Sequence, residues 1–381
     1  MLAMKPLKLF IVMVVSAIVG TERLEAKTKL DWNPEKTTVF VVGLLEWEHA
    51  DIWSSFPECQ KDRRDQQLVE YFRDAGVPDE RIVYLCDSEA TKSAVQQAFR
   101  KVLEGTRDGE LLIFYFCGHG YWNAETNQTY FATYDAGEKD ESAWNVASIF
   151  NAIEKQFHGS RALLLADCCH SGALYDGVRQ HRDSRIKYAA LTSSYCHNTS
   201  TGNWTFSDCL LAGLRGEGEV DLNEDGIIEL DELAHYCELE LAFVEEQKSM
   251  FAAADGFPRN AHLAEVEEPA KPGVGQRVEV ESDGKWFKAK VIDINEDQWE
   301  VHYVNFDASK DEWVDRQRVR PYQPAQFAQG DKVEVQWQSD GKWYPATVEK
   351  AWYGLEQVRY DGFDSTSDEW VGSNLVRLRT E

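Results

Sequence analysis

Two short apolar runs end in side chains able to do nucleophilic chemistry. Leu111 to Phe116 (LLIFYF) stops at Cys117, Gly118, His119 and Gly120, and Ala162 to Ala166 (ALLLA) stops at Asp167, Cys168, Cys169, His170, Ser171 and Gly172. Uninterrupted runs of this length read as strands buried on both faces, and in open α/β sheets the site lies beyond the carboxyl ends of the strands. Cys169 follows His119 by 50 residues, which leaves room for one crossover helix between neighbouring parallel strands. A thiol must ionise to attack a carbonyl, and a nearby imidazole can take its proton. A lone cysteine in such a run is ordinarily a packed thiol and a lone histidine a loop residue. Their conjunction at matching strand ends favours a nucleophile and its base.

The letters YFCGHG and DCCHSG resemble the metacaspase and orthocaspase branch of the caspase-like cysteine peptidases, over roughly Thr37 to Glu245. The resemblance implies a caspase-like three-layer α/β/α domain with a mostly parallel sheet. It also selects Cys169, which directly precedes His-Ser-Gly, as nucleophile, with Cys168, His170 and Cys117 left to structure. His119 becomes the base, and the amides of Gly120 and Cys169 face the developing oxyanion. Asp167, and Asp62 in Cys59-Gln-Lys-Asp62, match the residues that line the family's substrate pocket. Two carboxylates in one pocket select Arg or Lys before the cut and disfavour Asp. The resemblance further implies calcium at Asp135, Asp140, Glu141 and Asp176, where Glu141 departs from the usual Asp. Only about a dozen residues separate Asp176 from the next strand, so obligatory two-chain processing is not expected.

The elements that must position these residues alternate. Strands are expected at Val39 to Leu45, Ile82 to Leu85, Leu111 to Phe116, Ala162 to Ala166 and Tyr188 to Ser193. Between them come helices from about Asp62 to Ala75, from Thr91 onward, through Val146, Ile149, Phe150, Ile153 and Phe157, and finally over Thr205 to Leu214. Strand and helix in turn predict a parallel sheet.

Asp221 to Glu232 (DLNEDGIIELDE) matches a calcium loop, with oxygens from Asp221, Asn223, Asp225, Glu229 and Glu232, the carbonyl of Ile227, and Gly226 at the turn. An outgoing helix from Leu233 is expected, whereas Gly216 and Gly218 interrupt the incoming side and no second loop follows. The alternative is an acidic turn that braces the domain. The peptidase domain is thus placed at residues 37–264, and the acid-, proline- and glycine-rich stretch 265–274 is a linker.

Behind the linker the chain repeats itself. VEVESDGKWFKAKV aligns with VEVQWQSDGKWYPATV, and Trp286, Tyr303, Phe306 and Trp313 recur 57 positions later as Trp343, Tyr360, Phe363 and Trp370. Short alternating strands and Asp-Gly turns predict two small SH3-like five-stranded barrels, at residues 275–322 and 327–380, which resemble Tudor or agenet domains. The resemblance implies that the recurring aromatics can cage a cationic or methylated peptide side chain. They equally suit the filling of a small core.

With 381 residues, 43% hydrophobic and 12% aromatic, the chain can build real cores. A net charge of −26 argues against nucleic acid and favours cationic partners. Lys5, Lys8 and the apolar run Leu9 to Val19 fit a signal peptide over residues 1–26, hence export, with an uncleaved anchor as the alternative. The eight cysteines follow no disulfide-framework spacing. The reading is a cysteine endopeptidase cutting after Arg or Lys, calcium-influenced, monomeric, and targeted by Tudor-like modules. Its rival is a binding protein whose barrels carry the function on an inactive caspase-like platform.

Overall fold

The computed structural model describes residues 32–324, 326–337 and 340–379, so the expected signal peptide lies outside the described residues. In chain order the first domain comprises β1 (Thr37–Gly43), α1 (Arg64–Asp74), β2 (Ile82–Cys86), α2 (Lys92–Glu104), β3 (Leu111–Cys117), β4 (Gly120–Asn123), β5 (Gln128–Phe131), β6 (Trp144–Asn145), α3 (Val146–Gln156), β7 (Arg161–Asp167), α4 (Ala173–Gln180), β8 (Lys187–Thr192), α5 (Thr205–Leu214), β9 (Ile227–Glu229), α6 (Leu230–Glu240), β10 (Met250–Ala253) and β11 (His262–Glu265). Six strands form one sheet in the order β10-β8-β7-β3-β1-β2, parallel throughout except for β10 at the edge.

Because successive residues of a strand face opposite sides, the apolar runs supply two cores at once. Phe40, Val42, Phe114, Phe116, Leu164 and Tyr188 face α2, α3 and α4, meeting Phe99, Phe150, Ile153 and Val178. Val39, Val41, Ile113, Tyr115, Leu165 and Leu191 face α1, α5 and α6, meeting Leu68, Phe72, Leu210 and Leu233. The helices start where the sequence provides caps: Thr91 Oγ1 accepts the Ala94 amide at 3.3 Å, and Asn145 Oδ1 the Ser148 amide at 3.1 Å.

Two features depart from the sequence expectation, and a third, the interrupted entry to the acidic loop, follows it. The segment after His119 folds into a separate sheet, β4-β5-β6, before α3 begins. The helix after the acidic loop starts at Leu230 rather than Leu233, because Glu229 and Glu232 form a capping box inside the loop. Among the described residues no helix enters that loop after α5. A Cβ on Gly216 would sit 2.3 Å from the Glu265 carbonyl oxygen and one on Gly218 2.4 Å from the Ala270 amide, so the chain is threaded against the linker instead.

The tail forms two five-stranded sheets. The first joins β12 (Arg277–Ser282), β13 (Lys285–Asn295), β14 (Gln298–Tyr303), β15 (Glu312–Asp315) and β16 (Val319–Pro321) in the order β15-β14-β13-β12-β16. The second repeats that order as β20-β19-β18-β17-β21, from β17 (Lys332–Gln336), β18 (Trp343–Trp352), β19 (Leu355–Tyr360), β20 (Glu369–Gly372) and β21 (Val376–Leu378). Asp283 and Gly284 both take positive φ, 51° and 76°, in the tight hairpin that Asp-Gly favours. Valines line both cores, Val278, Val280, Val291, Val301 and Val314 in one and Val333, Val335, Val348 and Val358 in the other, with Tyr303 joining the first and Tyr360 packed against the second.

Candidate active site

The strands β3 and β7 are neighbours in register, Cys117 opposite Asp167, so the two reactive turns leave the sheet side by side. Gly120 lies against the nucleophile turn: a Cβ there would come within 2.1 Å of the Cys169 carbonyl oxygen, so only glycine allows this approach. Gly118, at φ 143°, passes close to Leu44 and Trp47.

His119 stands in a ring of aromatics, with centroids 4.5 Å from Trp47, 4.7 Å from Phe56 and 5.5 Å from Trp53. Its Nε2 lies 2.8 Å from the Ser54 carbonyl oxygen. A carbonyl only accepts, so Nε2 carries the proton and the neutral ring keeps its lone pair on Nδ1. Burial holds the imidazole below the usual histidine range, which keeps it neutral at pH 7 with its Nδ1 lone pair free to accept a proton.

Of the two adjacent thiols, Cys168 is buried (1% exposed), and that burial pushes its pKa far up, whereas Cys169 is partly open to solvent. Cys169 Sγ receives the Ser200 amide at 3.2 Å. Neither Cys169 nor His119 hydrogen-bonds the other among the described residues. His170 adopts φ 58°, held by its amide on the Asn198 carbonyl at 2.8 Å and its Nδ1 on the Cys196 carbonyl at 3.0 Å. It shapes the turn that presents its neighbour.

Asp167 accepts Ser207 Oγ at 2.6 Å, and Tyr115 and Ser207 hydroxyls meet at 2.6 Å behind it. Burial pushes the carboxyl up to about 7, Asp208 adding to the effect. Asp62 does not join it directly. It stays exposed, accepts Gln67 Nε2 at 2.6 Å and shares Arg64 with Asp208. Burial raises Asp208 too, with the charge on Asp62 adding to it, and the charge on Asp208 adds in turn to the rise at Asp167. Asp208, one residue after Ser207 in α5, carries no sequence signal beyond its charge.

The four carboxylates expected around a cation are dispersed. Asp135 accepts the Lys92 amide at 2.7 Å at the start of α2, and Asp140 accepts Tyr121 Oη at 3.1 Å and Asn123 Nδ2 at 2.7 Å. The Glu141 backbone carbonyl takes Lys92 Nζ, and Asp176 lies in α4, half-buried beside Cys196. Among the described residues no three His, Cys, Asp or Glu side chains gather as a metal group. Asp135 and Asp140 thus already accept hydrogen bonds from the start of α2 and from the β4 strand, and Asp176 faces Cys196.

In the acidic loop, Asp221 accepts the amides of Asp225 at 3.2 Å and Gly226 at 2.8 Å, and Asn223 Oδ1 accepts Asp225 at 2.9 Å. Glu232 ties the two ends, accepting the amides of Asn223 at 3.1 Å and Glu229 at 3.0 Å. Ile227 pairs with Glu265 in a β9–β11 ribbon. The all-oxygen donor set suits a hard cation. Partial burial, and after it the like charges on Glu232, Asp225 and Asp231, hold Glu229 above the usual carboxylate range, a crowding that a cation would relieve.

The eight aromatic candidates separate into three groups. Trp286 and Trp343 each lie under an arginine of their own barrel, Arg320 and Arg377, 3.9 Å from the ring centre. Tyr303 and Phe306 gather with Phe287, ring centroids 6.2–6.4 Å apart and nearly perpendicular, beside Glu312, which accepts Tyr303 Oη at 2.7 Å. In the second copy, Tyr360 meets Trp337 at 6.0 Å and donates to Glu369 at 2.6 Å, and Phe363 is exposed. Trp313 is open to solvent, whereas Trp370 is buried against the peptidase domain.

Fold and motifs converge on one class, and the chain belongs to the caspase domain family, which matches residues 54–283, over half its length. The family match begins after β1, although that strand sits inside the sheet. The agenet domain matches twice, at residues 275–324 and 330–381. Among solved structures, caspase-1 from Spodoptera frugiperda is 10% identical with a TM-score of 0.43, covering 63% of this chain and 94% of its own. A protein of Geobacter sulfurreducens is 13% identical with a TM-score of 0.43, over 61% of this chain and all of its own. The AGD34 segment of Arabidopsis thaliana AGDP1 is 25% identical with a TM-score of 0.14, over 29% of this chain and 83% of its own. No curated protein matched the sequence.

Proposed function

We propose that this chain is a cysteine endopeptidase that cuts after Arg or Lys. The observation carrying the proposal is that adjacent strand ends present an accessible Cys169 and a His119 whose Nε2 is committed to the Ser54 carbonyl. Nδ1 takes the thiol proton, and the thiolate attacks the scissile carbonyl carbon while the amides of Gly120 and Cys169 receive the oxyanion. The tetrahedral intermediate expels the amine, which leaves with the proton from the imidazolium. Water, deprotonated by the same imidazole, then hydrolyses the thioester. Asp167 would receive the basic side chain. A cation close to a carboxyl whose pKa is raised to about 7 draws it back into the charged form, so binding and ionisation favour each other.

Calcium belongs to the proposal at Asp221, Asn223, Asp225, the Ile227 carbonyl, Glu229 and Glu232, where it would brace the start of α6 against the β9–β11 ribbon. Export is proposed on the charge and apolar pattern of residues 1–26. Mass spectrometry of the mature N-terminus decides it: a chain still starting at Met1 in a soluble cytosolic fraction rejects export.

Matched fluorogenic peptides ending in Arg, Lys or Asp test the activity, with wild type and Cys169→Ala, in calcium and in chelator. Turnover of Arg and Lys peptides that vanishes in Cys169→Ala supports the reading, and cleavage after Asp opposes it. The absence of a Cys169–His119 hydrogen bond among the described residues favours one rival, an inactive platform whose exposed barrel aromatics bind cationic or methylated peptides. No turnover under reducing, calcium-replete conditions would select that rival.

A further inference from the structure

The second agenet domain touches the loop that holds the nucleophile. Asn198 binds both backbone groups of one residue: its Nδ2 donates to the Trp370 carbonyl at 2.7 Å and its Oδ1 accepts the Trp370 amide at 2.9 Å. His197 Nδ1 donates to the Asp368 carbonyl at 3.0 Å. On its other side the same loop meets the nucleophile turn, through Ser200 on Cys169 Sγ and the Asn198 carbonyl on His170.

Beside this contact lies an enclosed ammonium. Lys248, 8% exposed, places Nζ 4.3 Å from the Trp352 ring centre and 5.5 Å from that of Trp370, with Glu238 as its ion-pair partner. Ala242, Leu355 and Trp370 close the apolar floor, with Tyr195 and Tyr353 at its rim. The residue before Lys248 reaches the loop as well: Gln247 Oε1 accepts the Thr201 amide at 2.9 Å and its Nε2 donates to the Ser193 carbonyl. Gln247 thus holds the loop while Lys248 holds the barrel.

The first copy lacks this equipment. The position of Trp352 is Asn295 there, that of Tyr353 is Glu296, and Trp313, the counterpart of Trp370, is 40% exposed. Rings gathered around a cation in one copy alone serve that copy's own contact, because the shared fold does not require them.

We infer that Trp352 and Trp370 form a cation site whose resident ligand is Lys248 of the peptidase domain, and that Asn198 and Trp370, through this closed contact, are positioning residues for the loop facing Cys169. The catalytic half of the inference rests on the reading of Cys169 as nucleophile; the cation site does not. With the site closed, the Ser200 amide stays on Cys169 Sγ and fixes the sulfur's position. With it open, the loop is held on one side only.

Hydrogen–deuterium exchange over residues 193–204 and the rate of Cys169 alkylation by iodoacetamide read the contact without any substrate. Lys248→Met and Trp352→Ala in the full chain are expected to speed exchange and change the alkylation rate by about tenfold, in line with a desolvated cation–π pair. Lys248→Arg, which keeps the cation, and Trp352→Phe, which keeps a ring, are expected to stay within about threefold of wild type. Peptide hydrolysis is expected to lose kcat rather than gain KM. Unchanged exchange and alkylation in both Lys248→Met and Trp352→Ala would overturn the cation site. If the wild type hydrolyses no peptide while exchange still responds, the cation site stands and the peptidase reading fails.

Discussion

Trp313 and Trp370 stand 57 residues apart at equivalent places in two barrels of the same strand order, yet one is 40% exposed and the other 8%. The first barrel meets the peptidase domain through charge: Arg277 reaches Glu240 at 2.5 Å, Lys290 reaches Glu219 at 2.5 Å, and Lys288 reaches Glu246 at 2.9 Å. The second meets it through indoles, one amide side chain and an enclosed lysine. A duplicated fold keeps its valine core, while the surface of each copy answers to a different neighbour. In the first copy Phe306 is left exposed beside Phe287 and the buried Tyr303, whereas the second copy spends two of its rings on its own chain.

Breaking the second contact should cost most. Trp370→Ala removes a buried indole and is expected to lower stability by about 3–5 kcal/mol in urea unfolding, whereas Trp313→Ala should stay within about 0.5 kcal/mol. Equal losses from the two would erase the distinction between the copies.

A pH series separates them next. Glu356, fully buried in β19 where the first copy has Trp299, accepts Ser373 Oγ at 3.0 Å, and burial pushes its carboxyl up to about 7. A carboxyl raised in the fold binds its proton more tightly there than in the unfolded chain. Its contribution is complete below about pH 4.3 and is lost as pH rises through about 7. Glu356→Gln should therefore gain on the order of 2–3 kcal/mol over wild type at pH 8 and little at pH 4. A constant difference across that range would contradict this.

For the first contact, Glu240→Gln leaves Arg277 and Lys290 facing a neutral amide. The expected loss is about 2 kcal/mol, and added salt should shrink it only where the pairs are exposed. The smallest effect concerns ligand binding. Phe306→Ala should weaken a trimethyllysine peptide by about 0.5–2 kcal/mol in calorimetry, while Trp343→Ala, whose ring lies under Arg377, should leave binding unchanged. The reverse order would assign the ligand to the wrong face.

Much of this was legible in residue order. Apolar runs such as Leu111 to Phe116 mark buried strands because every side chain must face a core, and the 57-residue repeat marks two modules. The separate β4-β5-β6 sheet was not, because its strands are short and half-polar. The Ser54 carbonyl is backbone and leaves no trace in side-chain patterns, although Trp47, Trp53 and Phe56 in an otherwise polar loop were a visible hint of the pocket around His119. The bonds that Asp135 and Asp140 accept were equally hidden, since proximity in sequence does not reveal which amides claim a carboxylate. Nor could spacing tell that Trp370, a twin of Trp313, would be buried by a lysine from another domain.

The central claim is a nucleophilic Cys169 above an acidic pocket. Its most direct measurement is covalent trapping with arginyl and aspartyl chloromethyl ketone peptides, followed by mass mapping of the adduct. The account predicts a single adduct on Cys169, formed by the arginyl probe alone and faster as pH rises through about 7 and Asp167 ionises. An adduct on Cys168 or Cys59, or equal labelling by the aspartyl probe, would contradict it.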